Sequence, residues 1–251
     1  MSTQSPKPRS GVFRTVTTFV RHWLTDLRLK QRRTRFRSTD VTTVAHAYGD
    51  MSAREFEDLN GPQSWLNERV IPRVLQGRTN GRPWRLVDLG CGSGGSSSLL
   101  LRSAPAGSTL VGYDLCGELV DRARRRAWRD SAGAPTSARF VTQSIVDPLS
   151  DPDGGPLPGG SVDLAHAAGI VGHHLREDDV RALAAELRRV LAPDGYAVLD
   201  AGPKMPPRDL ARLMAEAGFR QVDCQRLVPW AKRAAIVFQR DDRNEAAPAQ
   251  R

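Results

Sequence analysis

A glycine-rich turn is the segment of this sequence whose residue types and spacing best suit a chemical role. Residues 86–95 read LVDLGCGSGG, an apolar run that passes directly into a turn with four glycines. Glycines are needed where a ligand approaches the backbone closely and where the turn adopts conformations closed to other residues. Twenty residues beyond Gly94, a second apolar run ends at Asp114. A carboxylate at that place can accept hydrogen bonds from both hydroxyls of a ribose.

Two classes of cofactor compete for this turn. Gly90, Gly92 and Gly95 satisfy the G-x-G-x-x-G spacing of dinucleotide-binding turns, which makes NAD one candidate. Asp88 favours the other candidate, S-adenosylmethionine, because a carboxylate before the turn suits a cofactor with an ammonium group and no pyrophosphate. A third interpretation is a structural glycine turn followed by a structural aspartate. We favour S-adenosylmethionine, because the acidic residue would gain nothing beside a phosphate.

The elements that must position this turn alternate regularly after residue 82. Strand-like apolar runs occupy residues 85–89, 109–113, 138–142, 161–166 and 196–200. Helical patterns fit between them at residues 95–104, 117–131, 176–192 and 207–217. Such alternation predicts a parallel sheet covered on both faces, and two last runs, at 220–228 and 233–239, predict an antiparallel pair. The expected fold is α/β, a Rossmann-like seven-stranded, mostly parallel sheet with an antiparallel C-terminal edge pair and an N-terminal helical lid or arm.

Helical periodicity also marks the segment before the turn. Apolar residues recur at steps of three and four over residues 12–37. A second helical pattern over residues 52–76 opens with Ser52 and Glu55, the spacing of a capping box. We expect two proline sites to break this second helix, at Gly61-Pro62 and Pro72. The predicted organisation is a disordered tail over 1–11, a helical arm and lid over 12–80, an α/β catalytic domain over 81–240 and a flexible tail over 241–251.

Cysteine content and hydropathy exclude several classes. The three cysteines share no metal-ligand spacing and cannot all pair, so we expect no metal site and a reducing environment. The sequence has no run of eighteen apolar residues, which a membrane-spanning helix would need, and the N-terminus lacks the pattern of a signal peptide. We therefore expect a cytoplasmic protein.

The net charge of +9 is carried by one segment. Residues 1–37 hold ten lysines and arginines against Asp26 as the one acidic residue, so the rest of the chain is formally neutral. The predicted helix over residues 12–37 therefore has three interpretations: it lies on an anionic membrane surface, it contacts RNA, or it packs on the catalytic domain or on a second subunit of a homo-oligomer. We favour packing, and nucleic acid is the weakest of the three.

The ordered motifs resemble those of the class I S-adenosylmethionine-dependent methyltransferase family over about residues 84–240. Residues 88–94 are similar to the first motif of that family, and Asp114 is similar to the acidic end of its second strand. Where the family usually has F-x-x-G-D-A, residues 140–145 read FVTQSI. Ser144 thus replaces the aspartate that holds the adenine amino group, although a serine oxygen can accept the same hydrogen bond.

The resemblance implies S-adenosylmethionine as the cofactor, with its methionine portion on the glycine turn and its ribose on Asp114. Its adenine is expected beside Ser144 and Ile145. The cofactor-binding residues implied in this way are Asp88, Gly90, Cys91, Gly92, Gly94, Asp114, Leu115, Ser144, Ile145 and Ala167.

Histidines supply the candidate general bases. His173 and His174 follow the fourth predicted strand at the expected start of a helix, where a methyl acceptor would approach. A histidine with a pKa near neutral can take a proton from a hydroxyl, enol or amine. The alternative is that one of them caps the helix or packs under the lid. His46 and Tyr48, ahead of the second helix, are the candidate lid residues.

The leading functional hypothesis is methyl transfer to an O, N or C atom of a small, lipophilic molecule such as a quinone-like or secondary-metabolite acceptor. One alternative is an RNA methyltransferase guided by the basic arm. A further alternative is a partner subunit that binds the cofactor without catalysis.

Overall fold

A seven-stranded sheet forms the centre of the molecule. The computed structural model describes residues 11–35, 38, 40–79, 81–226 and 234–241. The strands are β1 (Arg85–Leu89), β2 (Thr109–Asp114), β3 (Ala138–Thr142), β4 (Val162–Ala167), β5 (Leu191–Ala201), β6 (Phe219–Arg226) and β7 (Ala234–Arg240). They lie in the order β3-β2-β1-β4-β5-β7-β6. The expected tails and the connection between β6 and β7 fall largely on residues 1–10, 227–233 and 242–251, which lie outside the described residues.

The direction of the strands confirms the predicted α/β fold. The five strands β1 to β5 pair in parallel, and β7 runs antiparallel between β5 and β6. The strand order reverses between β1 and β4, so the chain leaves these neighbours toward opposite sides. The carboxyl ends of two such strands border a crevice in which open α/β sheets bind ligands.

Seven helices accompany the sheet in the described part of the chain. They are α1 (Gly11–Gln31), α2 (Val41–Gly49), α3 (Ala53–Leu75), α4 (Gly95–Ser103), α5 (Gly117–Arg124), α6 (Glu177–Val190) and α7 (Pro207–Glu216). Apolar side chains of α3, α4 and α5 cover one face of the sheet, and those of α6 and α7 cover the other. All six residues of β4 are consequently buried, as expected of a central parallel strand.

The N-terminal helices differ from their predicted boundaries. α3 runs unbroken through Pro62 and Pro72, so the expected breaks are wrong. Buried side chains toward the end of α3, among them Val70, Ile71 and Val74, pack into the core and offset the hydrogen bonds that prolines remove. The predicted Ser52–Glu55 capping box is present. α1 ends at Gln31 instead of continuing to residue 37, and α2 is a separate helix that the periodicity did not indicate.

α1 packs along α3 through polar contacts as well as apolar ones. The indole Nε1 of Trp65 donates to Thr15 Oγ1 at 3.0 Å, and His22 Nδ1 lies 2.7 Å from the carbonyl oxygen of Leu59. Gly61 permits the close approach, because a Cβ there would lie 2.9 Å from a methyl of Thr18. The two helices thus form one layer at the side of the sheet that carries α4 and α5.

No helix in the described part of the chain combines the length and apolar character needed to cross a membrane. Among the same residues, no three His, Cys, Asp or Glu side chains are grouped so that they could hold a metal ion.

Candidate active site

The glycine turn after β1 is tied to the neighbouring strand. The amides of Gly90 and Cys91 both donate to the carbonyl oxygen of Tyr113, at 2.7 and 3.0 Å. Gly90, Gly92 and Gly94 have positive φ angles of 70°, 52° and 85°. This region of backbone conformation costs other residues about 1 kcal/mol or more, which explains the run of glycines. The turn is therefore a rigid cradle at the end of β1.

Asp114 stands beside this cradle at the end of β2. Its carboxylate accepts hydrogen bonds from the amides of Gly92 at 2.8 Å and Cys116 at 2.9 Å. Burial raises the pKa of Asp114, while these two amide hydrogen bonds oppose that rise. A carboxylate has about four acceptor positions, so capacity remains for a ligand with two hydroxyls. The geometry suits a ribose.

Asp88 has a different environment. It is 1% exposed, and its carboxylate accepts hydrogen bonds from the hydroxyls of Ser96 at 2.7 Å and Ser97 at 2.5 Å. Its other oxygen lies 3.0 Å from His166 Nδ1 on β4. This aspartate joins β1, β4 and the first turn of α4. Direct contact between Asp88 and a cofactor ammonium group stays a prediction.

A cleft of about 900 Å³, including its open mouth, lies over the carboxyl ends of the strands. Its walls include eight of the predicted site residues, namely Tyr48, Gly90, Gly92, Asp114, Leu115, Ser144, Ile145 and His174. Six other predicted residues do not line it, namely His46, Asp88, Cys91, Gly94, Ala167 and His173. The sequence analysis thus identified residues around the whole cleft, although six of the residues that it assigned to the site do not line this cleft.

The two adjacent histidines, His173 and His174, line different cavities. They lie in a turn that precedes α6 by three residues, rather than at the helix start, and both of their amides donate to the carbonyl of Ile170. His174 lines the large cleft, with its Nδ1 3.1 Å from the carbonyl oxygen of Ser38. Burial lowers the pKa of His174. His173 instead lines a smaller cavity shared with His166 and Asn67.

Asp200 organises the loop between β4 and α6, a role that the sequence analysis missed. One carboxylate oxygen accepts from the amides of Ile170 and Val171, both at 3.1 Å, and the other from Gly172 at 3.2 Å. Asp200 is 5% exposed and lies in the buried C-terminal part of β5. An acidic residue after an apolar strand, in the sequence YAVLDAG at residues 196–202, was the available signal.

Aromatic side chains from the N-terminal helices cover the glycine turn. A Cβ on Gly92 would lie 2.7 Å from the ring of Phe56, which shows how closely α3 approaches the cradle. The ring of Tyr48 packs edge-on against Phe56, with centroids 6.0 Å apart, and against His174 at 6.2 Å. Phe56 and its neighbour on α3, Asn60, were not predicted to line a site, since the sequence analysis named only His46 and Tyr48 within the expected lid.

Comparisons with known proteins agree with this architecture. The family described as "Methyltransferase domain" matches residues 86–195. Trans-aconitate 2-methyltransferase of Acidovorax ebreus is 33% identical over 159 residues, which are 61% of this chain and 53% of that protein. The chain spans about half the length of the curated relatives that it matches.

Solved structures show the same fold. Magnesium protoporphyrin IX methyltransferase of Synechocystis has a TM-score of 0.61 at 16% identity, covering 80% of this chain and 97% of its own. The 1,6-didemethyltoxoflavin-N1-methyltransferase of Burkholderia thailandensis has a TM-score of 0.55 at 21% identity, covering 81% and 88%.

Residues 86–195 therefore match a methyltransferase domain. The strand order confirms the predicted α/β fold, and the match over residues 86–195 confirms the predicted resemblance to methyltransferases, a family whose cofactor is S-adenosylmethionine.

The glycine contacts of the methyltransferase domain fit this cofactor better than a dinucleotide. In dinucleotide-binding turns the third glycine lets the helix pack closely on the strand. A Cβ on Gly95 would meet no atom within 4 Å, so this position does not need a glycine for packing. A Cβ on Gly90 would collide with Ile170 at 1.6 Å, and Gly92 is similarly confined by Phe56. Packing therefore requires glycine at Gly90 and Gly92, but not at Gly95, the residue that would complete the G-x-G-x-x-G spacing.

Proposed function

We propose that this chain transfers the methyl group of S-adenosylmethionine to an O, N or C atom of a small, lipophilic molecule. The observation that carries the proposal is the single cleft that joins Asp114 and the glycine turn to His174 and the lid residues. One end of the cleft has the groups that suit a nucleoside, and the other has apolar walls and one imidazole. A reaction between a bound cofactor and a second molecule needs both.

The cofactor end would be held by residues that the sequence already indicated. Asp114 would accept hydrogen bonds from the ribose, and the amides of the glycine turn would lie along the methionine portion. Ser144 and Ile145, which line the cleft beyond Asp114, would border the adenine. When bound, S-adenosylmethionine supplies an electrophilic methyl group on its sulfonium, so the protein has chiefly to position the acceptor.

The acceptor end favours a molecule without strong negative charge. Its walls include apolar side chains, among them Val44, Ile170 and Leu175, together with the polar atoms of Asn60 and the lid tyrosine. Among the described residues that line the cleft there is no Lys or Arg. Carboxylate groups are recognised best by such cations. A neutral phenol, quinol or heterocycle therefore suits this cleft better than a tricarboxylate such as the trans-aconitate of the Acidovorax relative.

His174 would act as the general base. Its Nδ1 faces a carbonyl oxygen, which only accepts hydrogen bonds, so Nδ1 carries the proton and Nε2 keeps its lone pair. Burial lowers the pKa of His174, which keeps the ring neutral near pH 7. Such a ring can remove the proton of an acceptor hydroxyl or amine as the methyl group is transferred. The separate cavity of His173 argues against the same role for that residue.

A two-step experiment tests the proposal. Calorimetric titration with S-adenosylmethionine and, separately, with NAD establishes the cofactor on the purified chain. A radiolabelled methyl-transfer assay then compares neutral phenols and quinols with tricarboxylates and with total RNA. We expect binding of S-adenosylmethionine alone and transfer to the neutral group. Transfer to RNA would favour the arm-guided alternative, and binding without transfer to any of these acceptors would favour a non-catalytic partner subunit.

A further inference from the structure

The burial of α1 is the reverse of what its sequence pattern predicts. The side of α1 that packs on α3 and the adjoining segments is mostly polar. Thr25 and Asp26 are 2% and 8% exposed, and His22 and Thr15 make hydrogen bonds to α3. Leu29, at 2% exposure, is the apolar member of this buried side. An ordinary amphipathic surface helix would bury its apolar stripe instead.

The rest of α1 exposes a continuous apolar stripe, in which Phe19 at the border also packs edge-on against Trp65 of α3 with ring centroids 6.1 Å apart. Its six members follow helical steps of three and four, and their exposed fractions are Val16 56%, Phe19 38%, Val20 50%, Trp23 62%, Leu24 38% and Leu27 42%. Among the described residues, the exposed large hydrophobic side chains are these six, so all of them lie on α1. A grouped apolar surface of this kind usually marks an interaction site. We call it the α1 stripe.

Positive charges flank the α1 stripe. At about 100° per residue, Arg21 and Arg28 fall on one border of the stripe, and both are exposed. Lys30 falls near the other border, where it pairs with Asp26 at 2.7 Å. The residues after the helix add exposed Arg33 and Arg35. The whole formal charge of +9 lies within residues 1–37.

We propose that the α1 stripe lies on the surface of an anionic membrane. Apolar side chains between arginines match both layers of such a surface, because the acyl chains take the stripe and the lipid headgroups take the cations. A second copy of the chain fits less well, since it would bring two segments of charge +9 together. Nucleic acid would match the arginines but not the exposed indole and aliphatic side chains. The proposal does not depend on the acceptor suggested above.

Sedimentation of the full chain with lipid vesicles tests the assignment. The vesicles contain phosphatidylcholine alone or phosphatidylcholine with one-third phosphatidylglycerol, a proportion of roughly physiological anionic charge. We expect clear binding to the anionic vesicles, weaker binding to the neutral ones, and loss of the difference at high salt. Far-ultraviolet circular dichroism and the dissociation constant for S-adenosylmethionine verify that each variant is folded.

Two double variants separate the apolar and electrostatic contributions. V20S/W23S should lower the partition coefficient for both kinds of vesicle by on the order of tenfold or more. R21Q/R28Q should lower it for the anionic vesicles alone, also by on the order of tenfold. The control R125Q/R208Q removes the same charge from exposed arginines of the catalytic domain and should leave binding within about twofold of wild type.

Three results would overturn the proposal. The first is absence of wild-type binding to anionic vesicles at low salt. The second is an equal loss of binding in the R125Q/R208Q control, which would make the effect one of overall charge. The third is a dimer in sedimentation velocity that V20S/W23S dissociates, which would assign the α1 stripe to contact between copies.

Discussion

Nδ1 of His174 lies 3.1 Å from the carbonyl oxygen of Ser38, and this contact joins the turn before α6 to the segment that leads into α2. The two residues are 136 positions apart in the sequence. The hydrogen bond sets the tautomer of the imidazole and connects the catalytic domain to its N-terminal cover. This contact therefore links the proposed base to the segment that covers the cleft.

The first prediction separates the adjacent histidines. H174Q should lower kcat by about 10² to 10⁴, the usual contribution of a general base, with little change in the dissociation constant for S-adenosylmethionine. H173Q serves as the matched control and should keep kcat within a few-fold, because His173 lines another cavity. Steady-state kinetics with the best acceptor measure both. Equal losses of kcat in the two variants would contradict the assignment of His174.

The second prediction concerns the pH profile of the same residue. The base must be unprotonated, so kcat should rise with pH as His174 loses its proton. Because burial lowers its pKa, the inflection should lie below the ordinary value of 6.5 and activity should be fully developed at neutral pH. H174Q should lack this inflection. An inflection that persists unchanged in H174Q belongs to another group.

Asp114 gives the third prediction. D114A should weaken S-adenosylmethionine binding by on the order of 100-fold, because up to two charge-assisted hydrogen bonds to the ribose are lost. D114N keeps the shape and one acceptor oxygen, and should fall between D114A and wild type. D121A removes an exposed carboxylate from α5 and is the control. Calorimetric titration gives the three dissociation constants. Tight binding by D114A would place the ribose elsewhere.

Two glycines of the same turn provide the fourth prediction. G92A should weaken cofactor binding at least tenfold for two reasons. The backbone at this position has a φ angle of 52°, which alanine rarely adopts, and the added Cβ would lie 2.7 Å from the Phe56 ring. G95A should leave binding within twofold and raise the free energy of unfolding by about 0.4–1 kcal/mol, since the site is open and φ is compatible. Titration and urea unfolding measure these effects. The reverse order of the two variants would restore the dinucleotide interpretation.

The fifth prediction tests how Asp200 positions the loop before α6. D200N replaces an acceptor oxygen with an amide that cannot accept from the loop amides, so it should lower the free energy of unfolding by about 2–4 kcal/mol. It should also lower kcat, because Ile170 and His174 shift. D194N, at an exposed position of β5, should change the free energy by less than about 0.5 kcal/mol. Unfolding in urea compares the pair, and equal stabilities would show that the loop does not depend on this carboxylate.

Agreement between sequence and structure is greatest where the evidence is local. The ten residues of the glycine turn are contiguous, and the regular alternation of strands and helices predicted every strand within a few residues except β5. β5 begins at Leu191, five positions early, because a short parallel pairing with Val162 precedes a register shift. The prolines of α3 show the opposite case, in which tertiary packing overcomes a strong local preference.

Sequence alone determined the cradle and Asp114, because parallel strands place their carboxyl ends at one edge wherever the rest of the chain goes. It also determined the helical period of α1. It did not determine which side of α1 faces inward, since a period is the same for a buried stripe and an exposed one. The tertiary structure decided three contacts. These are the hydrogen bond between His174 and Ser38, the packing of Phe56 against Gly92, and the hydrogen bonds from the loop amides to Asp200. Each joins residues at least 28 positions apart, and only packing of the completed sheet and helices brings such residues together.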